Sequence, residues 1–141
     1  MGELAAYGGL FLWSFLASTL LPLGSEPALV AVVRAYDHFS LPIVVATIGN
    51  YLGACTTYAV GRAVGRAAEK SDHHSRSYRR ALSMMKHYGA TALLLSWVPF
   101  LGDALVAIAG AVRIPFASFS VWVIVGKAAR YAFVAWIALS V

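Results

Sequence analysis

The chain has 141 residues, of which 60% are hydrophobic and 12% charged, with a net charge of +5 and a mean hydropathy of +0.74. A soluble domain carries about 25% charged residues, and one of this length cannot hide so much apolar surface, so residues 1–141 read as a single membrane domain. The lone cysteine, Cys55, excludes an internal disulfide, and the basic residues are not spread over a face as nucleic-acid binding requires: seven of the eleven fall between Arg62 and Lys86.

The first apolar stretch covers residues 4–21. Glu3 and the lack of any lysine or arginine before Leu10 leave it without the basic flank of a signal peptide, so it is expected to stay in the mature protein. It ends at a break, Pro22-Leu23-Gly24-Ser25-Glu26-Pro27, followed by a short apolar return over 27–33. Residues 41–60 then form a stretch long enough to cross a bilayer, which takes about 20 residues. Gly49, Gly53, Thr57, Gly61 and Gly65 recur every four residues along and beyond it, and side chains that small predict a helix packed closely against this face. The helix can come from the same chain or from a second copy in a homo-oligomer.

The long polar connection follows. Tyr78, Ala81, Leu82, Met85 and Tyr88 share one helical face while Arg76, Arg79, Arg80, Ser83 and Lys86 fill the rest, which predicts an interfacial helix within 71–88 in contact with anionic headgroups. The adjacent His73 and His74 have no third ligand nearby and do not face one another on a helix, so no metal and no cofactor are expected. Residues 90–98 and 104–112 flank a second break, Pro99-Phe100-Leu101-Gly102-Asp103, and each arm is too short to cross. A second full span covers 116–139.

Offsetting the chain by 77 residues superposes Pro22 on Pro99, Glu26 on Asp103, Gly49 on Gly126 and Asn50 on Lys127. The expected fold is therefore an all-α integral membrane protein built as an inverted repeat, about 10–66 and 87–141, joined by the basic segment 67–88. Each half contributes a re-entrant hairpin and one full transmembrane helix. For Leu16 to Val33 the longer first arm leaves a full crossing open as well. Unwound backbone at the tips must be satisfied by protein or a cavity, so Pro22, Gly24, Pro99 and Gly102 belong inside the fold. If both hairpins return to the side they enter from, eight basic residues share the side of the 61–89 segment and only Arg34 shares that of the termini, putting the loop in the cytoplasm and both termini outside.

Ionisable groups at mid-membrane depth point to function. Glu26 and Asp103 sit at the two breaks, and Lys127 and Arg130 lie three residues apart on the last span, so their charges cancel if they pair. Asn50 adds an amide at the equivalent place on the first span. These five are the candidate substrate or ion ligands; Pro22, Gly24, Gly49, Gly53, Gly61, Pro99 and Gly102 are the candidate hairpin and packing residues. A salt-bridge cluster that merely fixes the hairpins is the bland alternative.

Pro22-Leu23-Gly24-Ser25-Glu26, Gly49-Asn50-Tyr51-Leu52-Gly53 with Tyr58 and Gly61-Arg62, Trp97-Val98-Pro99-Phe100-Leu101-Gly102-Asp103, Gly110, Arg113, and Gly126-Lys127-Ala128-Ala129-Arg130-Tyr131 together resemble the DedA/VTT family, also called SNARE-associated Golgi proteins, in its short, YqaA-type subgroup. The resemblance runs from about Phe15 to Trp136. It implies an integral protein of the bacterial inner membrane with two opposed hairpins and a role in moving lipids or lipid-linked phosphates between leaflets, with proton coupling in bacterial members. With no metal-ligand spacing, nucleophile elbow or His/Glu pair in the sequence, no enzymatic activity is expected. Family members carry arginines around the second break where this chain has Trp97 and Asp103, so Lys127 and Arg130 are expected to supply the positive charge for a phosphate. The competing readings are a non-transporting membrane assembly factor and an intramembrane hydrolase using Glu26 and Asp103 as a carboxylate dyad.

The charge asymmetry generates a direct test. A single cysteine placed at Ser75 should resist an impermeant thiol reagent in intact cells while one near the C-terminus reacts; strong labelling at Ser75 from outside overturns the orientation.

Overall fold

In the computed structural model, residues 2–19, 24–68, 76–98 and 101–141 are described, and among them every regular element is helical. In chain order these are α1 (Gly2–Thr19), α2 (Glu26–Tyr36), α3 (Ser40–Ala68), α4 (Arg76–Tyr88), a 3-10 helix η1 (Gly89–Trp97), α5 (Leu101–Ala111) and α6 (Phe116–Ser140). Two of the described helices, over Ser40–Ala67 and Phe116–Ser140, are long and apolar enough to cross a membrane, matching the two spans expected. Pro22, Pro99, His73 and His74 lie outside the described residues.

The chain divides into two compact units, Met1–Gly53 with Lys127–Val141, and Ala54–Gly126. In the first, α1 and α2 pack together around a core of Leu10, Leu29, Val32, Val33, Ala46, Tyr131 and Ala135. Helix α2 starts where the sequence places a break: Ser25 occupies the N-cap, Pro27 sits in the first turn, and Asp37 ends the helix with a left-handed φ of 51°. Aspartate tolerates that conformation better than most residues. In the second unit, η1 and α5 pack on each other and both meet α4. Its core includes Tyr58 against Phe119, ring centroids 4.5 Å apart. Helix α5 closes with two bonds, Ile114 N to Ala109 O and Arg113 N to Gly110 O, each 3.0 Å. These form a Schellman cap with Arg113 at φ 60°, and Tyr58 Oη donates to the Ile114 carbonyl at 2.6 Å.

The glycine stripe of α3 finds its neighbours within the chain, and they are two different helices. A Cβ on Gly49 would meet Phe11 O at 2.5 Å and Ser14 Cβ at 3.3 Å; one on Gly53 would meet Phe15 O at 2.5 Å and Ser18 Cβ at 2.7 Å. Phe11 to Phe15 and Gly49 to Gly53 advance together, so α1 and α3 run in the same sense. Further along, Gly61 lies against Ala107 and Gly65 against Ala111, both on α5. A neighbouring stripe, Val44, Ile48, Leu52, Val60 and Val64, about 100° round the helix, is exposed, as a lipid-facing ridge would be.

Two expectations change. The arm at 90–98 is a 3-10 helix rather than an α-helix, starting at Gly89, whose φ of +60° ends α4. Tighter winding lengthens the rise to about 2.0 Å per residue, so nine residues reach farther than in an α-helix. On α4, Met85 is buried and Leu82 half-buried as the periodicity requires, but Tyr88 is 60% exposed, because the chain turns at Gly89 and leaves the last residue of the face outside. The side chains of Tyr78 and Ala81 lie outside the described residues.

Gly53→Leu and Gly61→Leu should each lower stability by about 1 to 3 kcal/mol in detergent, since the added side chain must displace backbone. Gly8, with nothing within 4 Å of a Cβ, provides the control. Thermal denaturation of Gly53→Leu or Gly61→Leu indistinguishable from that of Gly8→Leu would contradict these contacts.

Candidate functional site

One face of α6 collects most of the polar chemistry of the first unit. Lys127, Arg130, Tyr131 and Ala138 follow at i, i+3, i+4 and i+11, spacings that keep them on one side of a helix. Lys127 is only 3% exposed. Its ammonium donates to Asn50 Oδ1 on α3 and, at 3.4 Å, to Ser18 Oγ on α1. Asn50 is held for this task, because its Nδ2 donates to the Ser14 carbonyl at 3.2 Å, which turns Oδ1 toward the lysine. The cation is thus solvated by side-chain dipoles from two helices.

One turn further along α6, Arg130 forms an ion pair with Glu26, their side chains 17% and 25% exposed. Glu26 is the first residue of α2, where the positive end of the helix dipole favours a carboxylate. Ser25, at the N-cap, makes no capping bond; its hydroxyl is shared with Tyr131 Oη. At the other end of α2, Arg34 Nε donates to the Ala138 carbonyl at 3.2 Å. Glu26 to Arg34 and Arg130 to Ala138 are equal steps, so α2 and α6 run side by side in the same sense, joined at both ends. Thr47, one turn before Asn50, has a buried hydroxyl with no hydrogen-bond partner among the described residues. An unmet donor at that place gains energy from an incoming polar group.

Four of the five expected ligand residues, Glu26, Asn50, Lys127 and Arg130, therefore gather in the first unit. The fifth, Asp103, lies half-buried in the first turn of α5 in the second unit. Gly24 lies beside the Glu26 carboxylate, and Gly102 lies against the Ser96 carbonyl, where a Cβ would collide with backbone. Sequence reasoning missed Ser14, Ser18, Ser25 and Tyr131 as members of the cluster. A signal existed for two of them: Ser14 and Ser18 are four apart on an otherwise apolar helix, so they share a face that should turn inward. Among the described residues no group of three or more histidine, cysteine or acidic side chains could hold a metal.

Asn50→Leu removes one acceptor from the buried Lys127 ammonium and should lower stability by about 1 to 3 kcal/mol, the usual scale for a buried polar group that loses a hydrogen-bond partner. Asn50→Leu with Lys127→Met removes both ends and should recover most of that loss. Additive losses in the double variant, measured by thermal or denaturant unfolding, would refute the contact.

The profile of the VTT domain matches residues 4–138. The chain is 40% identical over 136 residues to the inner membrane protein YqaA of Escherichia coli (strain K12), a match covering 96% of this chain and 92% of that protein. It is similar to the same extent to inner membrane protein YqaA of Shigella flexneri. An uncharacterised protein of Haemophilus influenzae is 38% identical over 133 residues, covering 86% of this chain and 80% of the relative. No solved structure matches the chain significantly.

Proposed function

The chain belongs to the VTT-domain family, and from that premise we propose that it is a transporter or translocase of the bacterial inner membrane that moves a lipid or lipid-linked phosphate between leaflets. The observation that carries the proposal is the Lys127–Asn50–Ser18 and Arg130–Glu26 cluster beside a helix break. A chain this apolar has little reason to bury two cations and an acid at one level unless they meet a polar or charged substrate. Arg130 offers a bidentate fork to phosphate oxygens and Lys127 a point charge. Protonation of Glu26, or competition by a phosphate, would release Arg130 from its ion pair, which provides the proton-coupled switch. Asp103 is its counterpart in the other repeat. No enzymatic step and no cofactor enter this scheme.

The relatives named inner membrane protein support the location. Two further features favour the double-hairpin inverted repeat. Helices α1 and α3 run in the same sense, as they must if α1 enters, α2 returns and α3 crosses. Gly49 on α3 packs against α1, and its repeat mate Gly126 on α6 packs against η1, Leu94 O lying 3.0 Å from its Cβ position; each long helix thus meets the first arm of a hairpin. The basic face of α4 favours a cytoplasmic loop with both termini outside.

Reconstitution into liposomes with leaflet-resolved assays for fluorescent phospholipids and polyprenyl phosphates tests the reading. Glu26→Gln, Asp103→Asn and Lys127→Met should each lose transport by about tenfold or more, equivalent to about 1.4 kcal/mol, while remaining inserted and folded. Full transport by folded Glu26→Gln and Asp103→Asn rejects the carboxylate switch. Wild-type protein that moves no probe favours the assembly-factor alternative.

A further inference from the structure

Where α4 turns into η1, Met84, Tyr88, Thr91, Ala92 and Leu95 line a groove of about 280 Å³. Its wall is almost wholly apolar, because the Thr91 hydroxyl is spent on the Tyr88 carbonyl. Tyr88 and Leu95 are 60% and 38% exposed, and Leu94 and Trp97 extend the exposed apolar surface along η1. An amphipathic helix leads into this groove from one end. At about 100° per residue, Arg80 lies about 40° and Arg76 about 80° around α4 from Met84, whereas Arg79 and Lys86 lie further round in the same direction, about 140° to 160° away on the back of the helix. Arg76, Arg80, Met84 and Tyr88 thus form one i+4 row: two exposed guanidiniums, then a groove wall. The step from Arg80 to Met84 is about 6 Å along the axis, a short reach from a phosphate to the start of an acyl chain.

We infer that this groove is a binding site for one anionic phospholipid, its acyl chain lying between Met84, Tyr88 and Leu95 and its phosphate on Arg80 and Arg76. The charge argues for the occupant. A second copy of the chain related by a twofold would bring the same arginines face to face. A soluble acidic peptide would satisfy the guanidiniums and leave the groove and the exposed face of η1 uncovered. An anionic lipid satisfies both, and Tyr88 has the amphipathic ring that favours the headgroup level. The site shares no residue with the Lys127 cluster and needs only that the chain resides in a membrane, not that it translocates lipid.

Purified full-length protein in phosphatidylcholine liposomes doped with a phosphatidylglycerol carrying a diazirine on its acyl chain provides the test. Photolysis should label peptides containing Met84 to Leu95, and the diazirine analogue of phosphatidylcholine should label them several-fold less. Arg76→Gln with Arg80→Gln should cut labelling about fivefold or more, the scale expected when even one basic contact is lost. Arg79→Gln with Lys86→Gln removes the same charge from the back of the helix and should change it less than twofold. Ala92→Trp, which fills the groove, should abolish it in protein that still elutes as the wild type does. Equal loss from the two arginine and lysine pairs reduces the effect to general surface attraction and overturns the site. So does equal labelling by the two lipids or labelling that survives Ala92→Trp. Transport is not read here, so this result stands or falls separately from the translocation assays.

Discussion

The ammonium of a lysine as buried as Lys127 must be solvated by the protein, and the architecture of the first unit follows from how that demand is met. Its acceptors come from two helices, Ser18 on α1 and Asn50 on α3. Both can reach it only because α1 and α3 approach to backbone contact at Gly49 and Gly53, where the Phe11 and Phe15 carbonyls occupy the space of absent side chains. The same approach puts the Ser14 carbonyl where it orients the Asn50 amide. In lipid no hydrophobic force drives helices together, so close packing and interhelical hydrogen bonds carry the association. Glycine and lysine are two halves of one device here: the first permits the approach and the second makes it worthwhile.

The 77-residue offset acquires physical content at this point. Asn50 and Lys127, the positions it equates, touch directly. In a pseudo-twofold arrangement, residues that contact their own mates lie beside the axis, so the crossing of α3 and α6 is where the axis of the proposed repeat would pass. Such a duplication would not be chemically even, with an amide on one side and a cation on the other. A symmetric pair of lysines would repel, and a symmetric pair of amides would hold no charge for an anionic substrate. In the proposed repeat, divergence at this one position would turn a structural contact into a binding element.

Much of this was legible in the chain. The two long spans and the positions of the breaks follow from hydrophobic length and proline placement, and the charged cluster on the last span from the rarity of ionisable groups in apolar sequence. The glycine stripe announced a close neighbour but not that its two ends serve different helices, because a period of four says nothing about how far one partner extends. Pairing was least legible. Formal charge balance suggested that acids and cations pair, as Arg130 and Glu26 do, but gave no hint that Lys127 also takes hydroxyl and amide oxygens from Ser18 and Asn50. Net charge ignores neutral dipoles, which can solvate a cation without appearing in the count. Ser25 was hidden by its own plausibility: a serine before a helix reads as a cap, yet its hydroxyl goes to Tyr131.

Helix α2 has only 11 residues, a length at which an isolated helix is marginal. It is held by the burial of Leu29, Val32 and Val33 in the core and by being fastened to α6 at both ends, by Arg130 and Tyr131 at the start and by the Ala138 carbonyl at the finish. A ligand that draws Arg130 away from Glu26 therefore removes more than an ion pair. It loosens one of two anchors on a segment that cannot hold its conformation alone, so occupancy of the cation and order in α2 are thermodynamically linked, each opposing the other by the same free energy. Under the proposed translocation, the arrival of a negative charge would in this way soften the backbone beside it, with no hinge beyond the helix itself.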